Sequence, residues 1–500
     1  MVFSLLAGAL LPFAFAPFGL YPLAILLLAV LFVFWTQSSA RAAAWQGFAF
    51  GFGAFMVGTS WIYISLHDFG NMPAPLGAVA VMLLVIYLAL FPALIGWLQA
   101  QFTSRALRLI VVTPALWAGL EWIRSWFLTG FPWLSVGYSQ ISGPLAGFAP
   151  YLGVYGVSWV TAVSAGVAAQ LIYATPRARW GYGVLLPLIF MSGAVLKQVA
   201  WTTPLGNPIS VALIQANIPL DIKWQPMYRE HIMNLYASLS AQSHGSDLII
   251  WPETAVPAYL DELQQGFLTN LRREAIAQHS AIVLGVVEKT PGRFPGAGNT
   301  PVYNSVVSIG DKEGIYRKHH LVPFGEYLPL SSWLSWLLEV LHIPMSDFSA
   351  WQGVQAPIPA ANQKLGISIC YEDVFGEEVI QELPAATLLV NVSEDAWFGR
   401  SWAAQQHLQM GRMRALETGR VLLSATNTGV SAVVGADGRV LAEAPPFTQA
   451  VLKAQVQPRQ GATPYVRNGN KTLLLILVVL LIAGMAQEYY QRRIATSLVS

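Results

Sequence analysis

Long apolar blocks, separated by short polar connections, occupy the first 200 residues of the chain. Residues 2–35 contain no charged side chain, yet a helix of that length would extend about 51 Å, well beyond the roughly 30 Å hydrocarbon core of a membrane. The sequence APFGLYP at residues 16–22 supplies a break, because proline removes a hydrogen-bond donor and glycine tolerates a turn. We therefore predict two short spans here. A cleaved signal peptide is the alternative, which the lack of a basic start and the length of the apolar run disfavour.

Six further apolar segments are long enough to predict transmembrane helices and bring the expected number of spans to about eight. They are Trp45–Ile64, Leu76–Gln99, Leu107–Trp126, Pro150–Tyr173, Trp180–Val199 and Thr472–Ala486. Every second connection between spans carries arginine, at Arg41, Arg105, Arg108, Arg177, Arg179, Arg492 and Arg493. The connections 65–75 and 127–149 contain neither Lys nor Arg. By the positive-inside rule the arginine-bearing connections are cytoplasmic, and residues 201–470 are expected on the opposite face.

The composition also indicates that one part of the chain lies in lipid and another part in water. Charged residues make up 11% of the chain and hydrophobic residues 55%, whereas a soluble domain carries roughly 25% charged residues. We expect a membrane domain of about seven transmembrane helices at 1–200, a water-exposed domain at 201–470, and a C-terminal transmembrane helix with a short cytoplasmic tail at 471–500. The net charge of +2 and the scattered basic residues argue against a nucleic-acid partner, which would require a clustered basic face.

Between residues 209 and 456 the pattern changes to short β-branched runs, several of them apolar throughout, as in sheets covered on both faces. The predicted strands are Ser210–Gln215, Asp247–Trp251, Ala281–Val287, Val302–Ile309, Gly366–Cys370, Thr387–Val392, Val421–Ala425 and Ser431–Gly435. Helices are predicted at Tyr228–Gln242, Asp261–His279 and Ala403–Glu417. This alternation is typical of an α/β layered domain, whose chemistry lies at strand ends.

Three segments carry reactive side chains just after a predicted strand or turn. They are LIIWPE at Leu248–Glu253, YRKHHLVPFGEY at Tyr316–Tyr327 and GISICYEDVF at Gly366–Phe375. Cys370 is the single cysteine, and its position at a strand-to-helix turn is expected to favour a thiolate and an oxyanion site. Each residue also has an ordinary alternative: a buried structural thiol, a capping acid at Glu253, or a solvated basic loop around Lys318. His319 and His320 have no acid or thiol at a matching helical spacing, so we predict no metal site.

The segment Ser331–Ile343 has the pattern of an amphipathic helix. Its apolar residues share one stripe and are Trp333, Trp336, Leu337, Val340 and Leu341. Because two of them are tryptophans, which favour the membrane interface, we expect a mobile arm at the membrane surface. A helix packed into the core of the domain is the alternative.

In this order, the three segments resemble the nitrilase superfamily, whose catalytic set is Glu, Lys and Cys, and within it the membrane-bound apolipoprotein N-acyltransferase family of bacteria. The resemblance covers nearly the whole chain, and the combination of FPW, LVPFGE and CYED is specific. Its motifs are LEWIRSWFLTGFPWLSVGYSQ (120–140), QANIPLDIKW (215–224), WPET (251–254), YNSV (303–306), KHHLVPFGEYLP (318–329), CYEDVF (370–375), DAWFG (395–399), QHLQMGRMRALETGR (406–420) and ATNTG (425–429). The fold that it implies is a multi-span α-helical membrane domain plus an α/β nitrilase-like domain, an αββα sandwich.

The resemblance also implies the roles of individual residues. Cys370 is expected to be the nucleophile, Glu253 the general base, and Lys318 the cation that stabilises the tetrahedral intermediate. Further positions match family carboxylates, expected to orient Lys318 and the incoming amine, and aromatic residues near the pocket: Glu326, Glu372, Tyr371, Trp224 and Trp397. For each tryptophan, core packing is the alternative.

The activity implied by the resemblance is N-acyl transfer at the bacterial inner membrane, with the catalytic domain in the periplasm. An acyl chain from a phospholipid, typically phosphatidylethanolamine, passes through a Cys370 thioester to the α-amino group of the diacylglyceryl-cysteine of an apolipoprotein, the last step of lipoprotein maturation. No cofactor is implied. A membrane-tethered nitrilase or amidase-type hydrolase is the main alternative. A transporter or scaffold would need functional polar groups in its spans, which carry almost none beyond Glu121 and Arg124.

Two positions depart from the family pattern. Glu394 stands where the family more often has Asn or Asp before DAWFG, and Ser424 stands where an Arg is common before ATN. Neither lies in the three catalytic segments, so the departures concern local loop contacts.

Overall fold

The apolar blocks of the chain form helices, since inside lipid each backbone N–H and C=O must be paired within its own segment. The computed structural model describes residues 1–290, 301–327 and 348–497. The chain divides into two units. One comprises Met1–Ile62, Pro75–Val199 and Arg467–Ser500, and the other comprises Tyr63–Ala74 and Ala200–Val466.

Helices dominate the first unit and alternate with strands in the second. The α-helices are Val2–Leu10, Pro22–Thr36, Ala40–Gly58, Trp61–Ile64, Ala74–Gln99, Arg105–Leu107, Thr113–Arg124, Val136–Ser139, Ala149–Tyr173, Pro176–Leu196, Leu220–Lys223, Arg229–Ala241, Leu260–Leu263, Thr269–Ala277, Gly376–Val379, Ala403–Thr418, Pro464–Asn468 and Lys471–Ser497. Turns of 3-10 helix lie at Leu11–Ala14, Phe127–Thr129, Gln140–Ser142, Pro144–Phe148, Pro226–Tyr228, Cys370–Val374, Ile380–Glu382 and Asp395–Phe398. Turns of π-helix lie at Ser65–Phe69, Arg108–Val112 and Gln264–Leu268.

Five helical segments among the described residues are long and apolar enough to cross a membrane. They are Ala74–Gln99, Arg105–Arg124, Pro144–Tyr173, Pro176–Leu196 and Lys471–Ile494, and the bent pair Ala40–Gly58 with Trp61–Phe69 would make a sixth. Val2–Ala14 and Pro22–Thr36 are apolar too, and they are separated at the predicted break. Both are shorter than the roughly 17–25 residues that a spanning helix needs. By length and composition the described residues thus contain five or six such helices, where about eight spans were predicted.

Glycines allow the first helix to pack tightly on the third. A Cβ atom at Gly8 would lie 1.9 Å from the carbonyl oxygen of Phe50, and one at Gly53 would lie 2.3 Å from that of Leu5. Small residues at such contacts let helix backbones approach closely. Helices often associate in this way inside a membrane, where the lipid is as apolar as the side chains.

The second unit contains two six-stranded sheets and a short two-stranded one. The strands are β1 (Thr202–Pro204), β2 (Ile209–Gln215), β3 (Leu248–Ile250), β4 (Ala281–Lys289), β5 (Val302–Ile309), β6 (Gly314–Arg317), β7 (Ile358–Ala360), β8 (Gln363–Ile369), β9 (Leu388–Ser393), β10 (Leu422–Thr426), β11 (Ala432–Val434), β12 (Val440–Glu443), β13 (Ala450–Val456) and β14 (Arg459–Gly461). The sheet orders are β13-β2-β3-β4-β5-β6, β12-β11-β10-β9-β8-β7 and β1-β14. In each large sheet three central strands are parallel: β2, β3 and β4 in the first, and β8, β9 and β10 in the second.

The two large sheets face each other across a shared apolar core. Leu213, Ile250 and Val283 of the first sheet belong to one buried cluster with Ile367 and Val390 of the second. On its other face the first sheet packs against the helices Arg229–Ala241 and Thr269–Ala277, and the second packs against Ala403–Thr418. The layers are therefore helix, sheet, sheet and helix, which confirms the predicted αββα sandwich.

The buried central strands match their predicted ranges closely, whereas the edges of the sheets differ. The pattern did not indicate β1, β6, β7, β12, β13 and β14, which are short or only half-buried and so lack a continuous apolar run. The helix predicted at Asp261–His279 is also wrong as a single element. Gly266, with φ of +119°, breaks it into Leu260–Leu263 and Thr269–Ala277. The segment Ser331–Ile343, expected as a membrane-surface arm, lies outside the described residues.

Candidate active site

The three predicted catalytic residues all follow strand ends in the second unit. Glu253 lies three residues beyond the end of β3, Lys318 directly follows β6, and Cys370 directly follows β8. The first two strands belong to one large sheet and the third to the other. Because the sheets face each other, side chains from both converge at one edge of the sandwich.

Cys370 occupies a strained turn between strand and helix. It begins the 3-10 turn Cys370–Val374 with φ of +52°, a backbone region that non-glycine residues seldom adopt. Its carbonyl oxygen accepts hydrogen bonds from Asn391 Nδ2 at 3.1 Å and from His407 Nε2 at 3.2 Å. The surrounding structure thus holds the backbone of Cys370 in a conformation that it would not adopt alone.

The Lys318 ammonium lies between two carboxylates. Its Nζ is 2.9 Å from Glu326 and 3.6 Å from Glu253 Oε1, and the side chain is 1% exposed. Burial lowers the pKa of Lys318, but the charges of Glu326 and Glu253 outweigh that effect and raise the pKa above its usual value. Lys318 is therefore a permanent cation rather than a proton donor.

Glu253 is held by donors on both of its oxygens. Asn304 Nδ2 donates to Oε1 at 2.6 Å, and the backbone N–H of Glu394 donates to Oε2 at 2.9 Å. The same Asn304 amide lies 3.2 Å from Glu326 Oε1, so one side chain connects the two acids that flank Lys318. This network holds both oxygens of the Glu253 carboxylate in place.

The environment of Cys370 corrects one sequence expectation. Burial raises the pKa of the thiol well above its usual value, and the charge of Glu253 raises it further, while Lys318 acts in the opposite direction. The turn that follows the thiol is a single 3-10 turn of five residues, too short for a strong helix dipole. These surroundings disfavour the thiolate that the strand-to-helix position was predicted to favour.

The two supporting carboxylates have different surroundings. Glu326 contacts Lys318 directly, and its Oε2 also accepts from the Val322 N–H at 2.8 Å. Glu372 instead accepts hydrogen bonds from main-chain N–H groups, those of Ile369 at 2.8 Å and His319 at 2.8 Å. It therefore joins the turn that bears Cys370 to the loop that follows Lys318.

The aromatic side chains expected near the pocket are partly exposed. Trp224 is 53% exposed and Trp397 is 42% exposed, so core packing does not explain either of them. The Trp397 ring packs edge-on against Phe69 at 6.1 Å between centroids. Tyr371 is half-buried, with its ring 5.1 Å from that of Phe375.

The sequence patterns missed a buried polar cluster that contacts the backbone of Cys370. His407 Nε2 lies 2.9 Å from Asp373 Oδ1, and its Nδ1 lies 3.2 Å from Asp395 Oδ1. Burial lowers the pKa of His407, but the two aspartates outweigh it and raise the pKa well above its usual value. The signal was present in the segments QHLQMGR and DAWFG, where polar residues occupy a helix and a loop that are buried.

A second missed residue is Lys223, which is 0% exposed and pairs with Glu394 at 2.5 Å. Glu394 was noted above only as a departure from the family pattern. Its backbone N–H donates to the Glu253 carboxylate, and its partner Lys223 donates to the Glu253 carbonyl, so Glu394 is linked to Glu253 in two ways. Among the described residues, no group of three or more acids, histidines or cysteines has the arrangement of a metal site. His320 instead contacts Glu378, with Nδ1 at 2.8 Å.

Comparison with protein families assigns the two parts of the chain. Residues 7–167 match the apolipoprotein N-acyltransferase N-terminal domain, and residues 210–465 match the carbon–nitrogen hydrolase family. A solved carbon–nitrogen hydrolase from Helicobacter pylori G27 is 18% identical, with 50% of this chain and 89% of that one covered and a TM-score of 0.36.

Similar proteins extend over nearly the whole chain. The apolipoprotein N-acyltransferase of Nitrosomonas europaea is 45% identical, with 93% of this chain and 92% of that protein covered. The apolipoprotein N-acyltransferase of Methylococcus capsulatus is 44% identical, with 94% of this chain and 92% of that protein covered. The strand-end residues, the apolar helices and these full-length similarities agree, and the chain belongs to the apolipoprotein N-acyltransferase family of membrane enzymes.

Proposed function

We propose that this protein transfers an acyl chain from a phospholipid, through a thioester on Cys370, to the α-amino group of the diacylglyceryl-cysteine of an apolipoprotein. The observation that carries the proposal is the Lys318 ammonium, buried between Glu253 and Glu326 and close enough to Cys370 for its charge to act on the thiol. Thiol, base and cation are the three groups that acyl transfer through a thioester requires.

In the first half of the reaction Glu253 removes the proton from the Cys370 thiol, and the sulfur attacks the ester carbonyl of the phospholipid. Lys318 and the Tyr371 N–H stabilise the oxyanion of the tetrahedral intermediate. When the intermediate collapses, the bond to the lysophospholipid oxygen breaks, and Glu253 returns its proton to that oxygen. The raised pKa of the thiol supports this order, because the nucleophile must be deprotonated during attack.

In the second half the free amine of the apolipoprotein attacks the thioester carbonyl. Glu253 accepts a proton from the nitrogen, the carbon–sulfur bond breaks, and the proton returns to Cys370. Lys318 stabilises the second oxyanion as it did the first. The sequence of steps is ping-pong, and it needs neither redox chemistry nor a cofactor.

We propose phosphatidylethanolamine as the typical donor, and the inner membrane of a bacterium as the location. In this arrangement residues 1–200 form the membrane domain, 201–470 the periplasmic catalytic domain, and 471–500 a final span with a cytoplasmic tail. Both substrates carry acyl chains, so a site at the membrane surface spares them transfer into water. The exposed rings of Trp224 and Trp397 suit contact with lipid or with the acyl chains.

The test is to incubate the purified full-length protein with phospholipid alone and measure the mass of the Cys370 peptide. We expect an added acyl chain in the wild type and none in Cys370→Ala. Glu253→Gln and Lys318→Met should each lower acyl transfer by roughly 10²-fold or more. Near-normal transfer in any of these three variants would sink the mechanism.

A membrane-tethered hydrolase would form the same thioester but release free fatty acid to water. Adding a diacylglyceryl peptide to the acylated enzyme separates the two activities. Acyl transfer to the peptide amine supports the proposal, whereas free acid as the sole product would favour the hydrolase.

A further inference from the structure

We propose that Lys223 is a positioning residue for Glu253, a role that rests on the proposed function. Lys223 touches none of the reacting atoms. It acts through the main chain that carries the base, and its buried charge is balanced by Glu394.

The hydrogen bonds of the Lys223 ammonium are made to Glu253 and to two residues that lie next to it, Thr254 and Glu394. Lys223 ends the short helix Leu220–Lys223 and is fully buried. Its Nζ donates to the backbone carbonyl of Glu253 at 3.4 Å, to Thr254 Oγ1 at 3.3 Å and to Glu394 Oε2 at 2.5 Å. An ammonium has three protons, so these three acceptors account for all of them.

The backbone that Lys223 contacts is strained. Thr254 has φ of +41°, which is unfavourable for a β-branched residue. Gly285 of β4 also packs so closely that a Cβ atom there would lie 2.6 Å from Glu253 Cα. Lys223 and Gly285 therefore both contact the main chain at Glu253 and Thr254, and in the proposed role these contacts set the direction of the Glu253 carboxylate.

Glu394 serves as the counter-ion and contacts the base from a second side. Its carboxylate accepts hydrogen bonds from the Lys223 ammonium and, at 3.0 Å, from the Asn427 side-chain amide. The backbone N–H of Glu394 donates to Glu253 Oε2 at 2.9 Å. A buried ammonium without an anion would be strongly destabilising, so the pair is needed for a lysine to stand at this position. The side-chain pair can be neutralised without removing the Glu394 N–H.

The alternative is that the ion pair only stabilises the fold. Comparison of Lys223→Met with the double variant Lys223→Met/Glu394→Gln separates the two roles, since the double variant leaves no unpaired buried charge. The rate constant of Cys370 acylation by phosphatidylethanolamine, the KM for the lipid and the melting temperature are measured on full-length protein in detergent.

We expect the double variant to recover most of the melting temperature lost in Lys223→Met. It should still acylate Cys370 on the order of 10²-fold more slowly than wild type, with little change in KM, because the base is no longer held in line. Acylation that recovers together with the melting temperature would overturn the positioning role. If the wild type forms no acyl-enzyme, the proposed function fails instead, and the two failures are distinguishable.

A matched control removes another buried ion pair of the same unit, Arg414 with Glu417, whose atoms lie 3.0 Å apart. Arg414→Met/Glu417→Gln should lower the melting temperature without a comparable loss of acylation rate. An equal loss of rate in this control would show that the effect at Lys223 is general and would overturn the proposal.

Thr254 provides a test that does not depend on burying a charge. Thr254→Val keeps the β-branched shape and removes the hydroxyl that accepts from Lys223, whereas Thr254→Ser keeps the hydroxyl. We expect Thr254→Val to acylate about threefold to tenfold more slowly than Thr254→Ser, the loss expected from one hydrogen bond. Equal rates in the two variants would contradict the role of this contact.

Discussion

Cys370 and Glu253 are coupled electrostatically, because the thiol lies in surroundings that disfavour its charged form. Burial and the negative charge of Glu253 together raise the pKa of the thiol. A thiol of this kind reacts slowly with unrelated electrophiles, since the thiolate is the reactive form. In the proposed mechanism it becomes nucleophilic when Glu253 takes its proton beside a bound ester.

His407 connects several parts of the candidate site. It contacts Asp373, which lies in the turn after Cys370, and Asp395, which follows Glu394, and it donates to the carbonyl of Cys370. The two aspartates keep the ring charged in spite of its burial. Removal of the charge should loosen both loops.

The charge on His407 predicts a pH-dependent stability. Its folded-state pKa lies above the unfolded value of about 6.5, so its contribution to stability is fully present below that pH. The contribution is lost as the pH rises through the folded-state pKa. We therefore expect the difference in melting temperature between wild type and His407→Gln to be largest at or below about pH 6.5 and to shrink in alkaline solution.

The exposed His231 offers the control for this measurement. His231→Gln should differ little from wild type across the same pH range. A gap between wild type and His407→Gln that stays constant, or widens with rising pH, would contradict an imidazolium held between two aspartates.

At the scale of elements, the sandwich brings distant strand ends together by packing two parallel strand sets face to face. The end of β3 also passes very close to β4, where Gly285 lies beside Pro252 and Glu253. Only glycine fits at position 285, because the two chains approach each other closely and the nearest atoms belong to the backbone, which cannot shift without a large energetic cost.

The contact of β3 with β4 predicts the effect of one added methyl group. In Gly285→Ala the new Cβ would lie 2.5 Å from the Thr254 nitrogen and 2.6 Å from the Pro252 oxygen, so the chain bearing Glu253 must shift. Overpacking of this kind typically costs about 1–3 kcal/mol. We expect a lower melting temperature and at least a tenfold slower acylation of Cys370, as for a misaligned base.

A helical glycine in open space is the comparison for this variant. A Cβ atom added at Gly183 would meet no heavy atom of the described residues within 4 Å beyond its own stretch of helix, so Gly183→Ala should keep both the melting temperature and the acylation rate. If Gly285→Ala behaved like Gly183→Ala, the close approach of β4 to Glu253 would have no functional consequence.

For the whole molecule, one chain combines an α/β catalytic unit with helices that can cross a membrane. Reporter fusions at Gly206 and at the C-terminus should behave oppositely, with Gly206 outside the cytoplasm and the C-terminus inside. The physical reason is the distribution of arginines, which retain cytoplasmic connections on the inner face. Activity of a periplasm-dependent reporter at both positions would contradict the arginine pattern or the final span.

The patterns along the sequence determined the features that depend on local composition. Apolar blocks predicted the membrane helices, and continuous apolar runs predicted the buried strands, among them Val302–Ile309 with its observed bounds. The same runs directed attention to Glu253 and Cys370, which follow them, whereas Lys318 follows β6, which the pattern did not indicate. Edge strands such as β12 were missed because an alternately exposed segment of four residues has too little periodicity to differ from a loop.

Only the tertiary structure decided how these residues affect one another. Lys223 and Glu394 are separated by 171 residues, and neither segment carries a sign that the two side chains pair beside Glu253. The raised pKa of Cys370 likewise depends on burial between the sheets and on a carboxylate from a different strand. Both effects follow from which charges the packed sheets bring close together in a medium of low polarity, and composition and periodicity within one segment contain no information about that distance.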